Sequence, residues 1–96
     1  MTTQPKFWRK KPIVIEARQF LADENCSQLG LAEWCNGKLR GMALPRAERV
    51  IQISTLEGEI EAQIGDWIIK GVRGEFYLCK PDIFSLTYEA VEPLSF

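Results

Sequence analysis

The sequence predicts an α+β domain: a small antiparallel, strongly bent sheet or partly open barrel of about 6–7 short strands, with one helix near residues 25–35. Three observations predict it. Short runs rich in β-branched and aromatic residues alternate apolar with polar at a period of two. Turn residues separate these runs closely, and strands joined by tight turns pair antiparallel because parallel neighbours need long crossovers. One segment alone carries a helical stripe followed by a helix stop.

The elements follow in order along the chain. Residues 1–6 are polar and are expected to fray. Ile13 to Phe20 reads as a strand, with Ile13, Ile15 and Ala17 on one face and Glu16 and Arg18 on a wet one; Pro12 suits its start. Ala22 to Asn25 is a turn able to cap a helix. Cys26, Leu29, Ala32 and Cys35 then recur three apart, flanked by Leu31 and Trp34, and Asn36-Gly37 stops the run. Lys38 to Leu44 reads as a short strand and Pro45 to Glu48 as a loop. Arg49 to Thr55, the turn at Leu56 to Glu59, and Ile60, Ala62 and Ile64 form a hairpin. Gly65-Asp66 turns the chain into a strand from Trp67 to Val72, and Arg73-Gly74-Glu75 turns it back along Phe76 to Lys80. Pro81 to Phe84 reads as a tight corner or one helical turn, and Ser85 to Val91 as a closing strand. Trp34, Trp67, Ile83 and Phe84 are expected in the core.

Composition narrows the function classes. A chain of 96 residues makes one domain, 1–96, with enough surface to bury for a single core. A net charge of −1 argues against a general nucleic-acid binder. No apolar stretch approaches the roughly 20 residues of a membrane span, and the N-terminal residues lack the apolar core of a secretory signal. Three cysteines, an odd number, read as reduced thiols in a cytoplasm. The chain has no histidine, which removes the commonest general base and the commonest metal ligand. Cys35, on the apolar side of the helix, is expected to be buried and inert. The cysteine spacing makes no zinc set. Glu57, Glu59 and Glu61 alternate on a strand, which places carboxylates on one solvated face; holding Mg²⁺ for hydrolysis is the alternative. No catalytic residue, metal or cofactor is assigned.

Three segments carry a binding chemistry, each beside a plain structural account. In Lys70-Gly71-Val72-Arg73-Gly74-Glu75, two glycines bracket an arginine at a hairpin tip. Exposed amides in such a turn form an anion-binding nest, with Lys70 and Arg73 adding charge; an ordinary hairpin with solvated charges explains the same residues. Lys80 and Asp82 flank Pro81 and fit either a phosphate and a hydroxyl of a ligand or a capped turn. Phe7-Trp8-Arg9-Lys10-Lys11 interleaves rings and cations, which suits base stacking with phosphate neutralisation, or a basic edge that resists aggregation. Trp8, Tyr77 and Tyr88 are the candidate stacking rings.

Several stretches together carry a resemblance. They are Phe7 to Ala17 (FWRKKPIVIEA), Thr55 to Gly58 (TLEG), Gly65 to Tyr77 (GDWIIKGVRGEFY), Cys79 to Phe84 (CKPDIF) and Thr87 to Glu89. The chain resembles a widespread family of small phage and prophage proteins of uncharacterised function, over most of its length and most densely in its last third. Leu78 departs from the pattern, where members often carry proline before the cysteine. The resemblance implies a phage accessory protein acting in the host bacterial cytoplasm. Small phage proteins of this kind often neutralise host defences, some of other families by trapping nucleotide second messengers.

The expectation is therefore a counter-defence protein that sequesters a small nucleotide-type immune signal without turnover. Arg9, Lys11, Lys70, Arg73 and Lys80 would meet phosphates, Trp8 and Tyr77 would stack, and Asp82 would accept from a hydroxyl. A homo-oligomer is expected, because so short a protomer rarely encloses a ligand alone. The alternative is a protein–protein interaction module that inhibits a host protein or assists phage assembly, engaged by strand addition and surface aromatics.

Overall fold

The computed structural model describes residues 6–9, 11–55 and 57–91. The chain forms β1 (Glu16–Gln19), α1 (Asn25–Trp34), β2 (Gly37–Arg40), a 3₁₀ turn (Arg46–Glu48), β3 (Val50–Thr55), β4 (Gly58–Ala62), β5 (Trp67–Lys70), β6 (Phe76–Cys79) and α2 (Pro81–Thr87). This is α+β, with two three-stranded antiparallel sheets ordered β1-β5-β6 and β2-β3-β4. Two separate sheets replace the single bent sheet, and no closed barrel forms among the described residues. Apart from Lys6, the expected fraying end lies outside the described residues, as does Leu56 of the β3–β4 turn.

The two hairpins follow from their turn chemistry. Thr55 faces Gly58 across the β3–β4 turn. Trp67 faces Cys79 and Lys70 faces Phe76 across β5–β6. Between β4 and β5, the buried Asp66 carboxylate accepts from the Gln63 amide, three residues back, at 2.9 Å and so closes the turn.

The main core lies between the sheets and α1. Phe20, Cys35, Ile51, Ala62 and Ile68 are fully buried there, with Ile53, Leu31 and Ala32 around them. Gly37 is required at the start of β2, since a Cβ on it would stand 2.7 Å from the Ile51 side chain and 2.9 Å from the Gln52 carbonyl. Trp34 packs against this core and meets Phe76 edge-on at 5.3 Å.

Several expectations are corrected. The buried stripe of α1 is Gln28, Leu31, Ala32 and, just beyond its end, Cys35, whereas Cys26 and Leu29 face solvent. Spacing by threes drifts off a 3.6-residue helix, while steps of three and four stay on one face. The first strand is only Glu16–Gln19, because its partner β5 ends at Lys70, opposite Glu16; Ile13 and Val14 pair with no strand among the described residues and are exposed. The second strand stops at Arg40, before Gly41 at φ 88°.

The largest change is at the end of the chain. Pro81 to Thr87 is a second helix of seven residues, and no seventh strand occurs there. Pro81 sits in the first turn, where no amide donor is needed. The Ser85 and Thr87 hydroxyls donate to the Pro81 and Ile83 carbonyls at 3.0 and 2.8 Å, satisfying both side chains within the helix. Ile83 is 54% exposed and outside the core. Among the described residues, no helix is long and apolar enough to cross a membrane.

Candidate functional site

Sheet β1-β5-β6 has two faces with different fates. In antiparallel pairing, residues directly opposite share a face. Ile68 and Leu78 therefore point together into the main core, while Ala17, Ile69 and Tyr77 point the other way. That second face is covered by an aromatic column. Trp67 stacks on Phe84 at 4.0 Å and 5°, and Phe84 on Tyr88 at 4.8 Å and 24°. Ile69 is 1% exposed on this side.

Where the column ends, a cleft of about 290 Å³ opens. Its walls are the extended segment Lys11–Ile15, the Gly71–Tyr77 hairpin, and Thr87 with Tyr88 at the end of α2. Ile15, Val72, Tyr77 and Tyr88 supply apolar and aromatic surface, and Lys11 and Glu75 are the charged groups that line it. Burial raises the Tyr77 phenol above its ordinary value, with the adjacent Tyr88 phenol and the Glu75 carboxylate pushing the same way. Tyr77 is therefore a neutral hydroxyl at physiological pH, able to donate as well as accept.

Glu75 is seated by its own hairpin. The Gly71 amide donates to the Glu75 carbonyl at 2.7 Å, and the Arg73 amide donates to the Glu75 carboxylate at 3.0 Å. The carboxylate lies so close over Gly71 that a Cβ there would stand 2.0 Å from Oε1. Gly71 is thus the floor on which this acid rests. The anion nest expected at the tip is filled, at its Arg73 amide, by the chain's own carboxylate.

The structure brings together only part of the expected ligand set. Lys11 and Tyr77 share the cleft. Trp8 and Arg9 lie exposed just ahead of Lys11 and do not line it. Lys70 pairs with Phe76, so strand alternation turns it toward the face opposite Tyr77. Arg73 is exposed at the hairpin tip. Lys80 stands at the far end of β6 and is held at 2.9 Å by the buried Asp66. Asp82 is exposed in the first turn of α2, away from the Thr87 end that meets the cleft. Glu57, Glu59 and Glu61 are exposed, and no group of acidic or cysteine side chains able to hold a metal occurs among the described residues. Cys35 is buried as expected, and burial raises its thiol pKa.

No protein-family model, curated protein or solved structure matches the chain.

One cluster escaped sequence reasoning altogether. Arg49 is 7% exposed, with no carboxylate within ion-pair distance among the described residues. Its guanidinium donates to Asn25 Oδ1 at 2.6 Å, Gln28 Oε1 at 3.0 Å, and the Leu44 and Met42 carbonyls at 3.3 and 3.2 Å. Gln28 donates in turn to the Leu21 carbonyl at 3.0 Å. The cluster ties the loop before β3 onto α1, and its donors are spent on that task. Asn25 and Gln28, three apart on one helix face, were the available signal.

A second depression, of about 360 Å³, runs beside α1 and includes Arg18, Asp23, Cys26 and Gln28. Its polar groups are largely engaged: Arg18 pairs with Glu16 at 3.0 Å and lies 4.6 Å over Trp34, and Gln28 belongs to the Arg49 cluster. The cleft at Tyr77 combines ring surface with the exposed apolar Val72 and Ile13 and is the stronger candidate.

Proposed function

We propose that this chain is a binding module without turnover, engaging a protein partner through the Tyr77–Tyr88 cleft and the apolar surface at its mouth. The observation that carries this reading is the conjunction of a ring-lined cleft with exposed apolar side chains around it. Val72 is 68% exposed and Ile13 53%, and Leu86 on α2 is 90% exposed. Apolar surface gathered beside a concave site marks an interaction surface far more often than scattered single residues do. Binding without chemistry also fits a chain that has no histidine and keeps Cys35 as a buried thiol. In the setting its resemblance implies, a phage protein in a bacterial cytoplasm, the partner is a host protein to be inhibited or a phage component to be assembled.

Capture of a small nucleotide-type immune signal is the second reading, favoured by Lys11 beside two tyrosine rings. A multiply charged ligand needs several paired cations when it is buried. Arg9, Lys70, Arg73 and Lys80 would have to arrive from other copies in a homo-oligomer.

Affinity capture from phage-infected bacteria separates the readings, using the wild type and Val72→Asp. A stoichiometric protein retained by the wild type and lost with Val72→Asp supports the partner reading. Nucleotide released by heat from an otherwise bare protein supports the second. Equal capture by both forms removes the cleft from either role.

A further inference from the structure

We infer that the cleft accepts the Phe7-Trp8-Arg9 arm of a second copy of this chain, so that two copies exchange arms reciprocally. Phe7 is 103% exposed and Trp8 87%, an unusual state for two adjacent large rings. The same extended segment, three residues on, forms a wall of the cleft. An arm from a copy related by a two-fold axis therefore has matching surface on offer: Val72, Tyr77 and Tyr88 for its rings, and Glu75 for the guanidinium that follows them. Glu75 is the one acid lining the cleft and is already oriented by the Arg73 amide.

Symmetry and area both favour a second copy over an unrelated peptide. A two-fold exchange satisfies both arms and both clefts at once and closes on itself. Each buried Phe or Trp covers roughly 150–250 Å². Two arms and the surfaces they cover then bury on the order of 1,600 Å², the size of an ordinary stable interface. The proposal rests on the cleft being a binding surface. A protein partner would displace the arm, so exchange and partner capture compete.

Sedimentation velocity of the full chain over a dilution series is the test, with Arg9→Glu and Glu75→Arg made separately and then mixed. The wild type is expected to sediment as a dimer that dissociates on dilution. Each variant alone places like charges at both contacts, and its self-association is expected to weaken by about tenfold or more. An equal mixture is expected to recover the dimer, since each arm then meets an opposite charge; a misfolded variant would not give that recovery. A wild type monomeric at every concentration, or a dimer indifferent to both substitutions, overturns the proposal. So does a monomer whose Trp8 is quenched by its own cleft. A monomer that still captures a partner through Val72 overturns arm exchange alone. A dimer that follows the charge swap but captures nothing overturns only the partner reading.

Discussion

The two faces of sheet β1-β5-β6 are built from similar residues and end in opposite states. On one, Ile68 closes against Phe20, Ile51 and Ala62, all fully buried. On the other, the aromatic column from Trp67 to Tyr88 covers Ile69 and then stops, leaving Val72, Ile83 and Leu86 in water. No buried side-chain nitrogen or oxygen among the described residues lacks a partner. Polar burial is thus settled among the described residues, while the most exposed apolar side chains of α2 and the β5–β6 turn, Leu86 and Val72, stand beyond the column. A fold that satisfies Arg49 with four acceptors yet leaves Leu86 90% exposed has unfinished surface there, and unfinished surface is where a partner adds stability.

Truncation on either side tests this contrast hardest. Ile51→Ala is expected to cost roughly 3–4 kcal/mol by removing packed methyl groups from the core, and Leu86→Ala within about 0.5 kcal/mol. Urea denaturation of both variants measures it. Comparable losses would mean that the outer face is packed and the contrast false.

The next effect is at Arg49. Arg49→Ala is expected to cost roughly 2–4 kcal/mol, because the buried Gln28 and three part-buried acceptors, Asn25 and the Leu44 and Met42 carbonyls, lose a charged donor. Thermal denaturation should show it, and a neutral outcome would mean that water replaces the guanidinium freely.

Gly71→Ala should be milder for stability, at about 1 kcal/mol or less, since the atom it displaces is the far end of a flexible side chain. Its larger effect is expected on binding, because Glu75 loses its seat. Chemical denaturation alongside partner capture separates the two.

The smallest effect concerns pH. The Tyr77 phenol is raised in the folded chain, so the neutral form is the favoured one. Its contribution is intact below the unfolded tyrosine value of about 10 and is lost as pH climbs through the raised folded value. Ultraviolet titration of Tyr77→Phe against wild type should remove an ionisation that lies above the ordinary tyrosine value, leaving stability at neutral pH unchanged.

Much of the fold was legible in local residues, and the site was not, for reasons of parity and distance. Both hairpins follow from Gly58 and Gly74 between alternating strands, and α1 ends at Asn36, whose φ of 57° is the left-handed stop that its sequence announces. The buried stripe of α1 was misread because a polar Gln28 occupies a core position, and its partner Arg49 lies 21 residues away. The second helix was hidden by the alternation of Leu86, Tyr88 and Ala90, which reads as a strand, whereas Pro81 starts a helix that Ser85 and Thr87 support through their own carbonyl contacts. Register separates Lys70 from the cleft: Lys70 opposite Phe76 and Tyr77 opposite Ile69 fall on different faces although the hairpin joins them. Nothing local announces that Lys80 is claimed by Asp66, fourteen residues back.

Amide hydrogen exchange, with and without saturating captured partner, tests the binding-surface claim most directly. Protection gained over 11–15 and 71–77, with the β2-β3-β4 sheet unchanged, is the predicted result. Protection confined to the exposed β4 edge, leaving Val72 and Tyr77 exchanging as before, would contradict it.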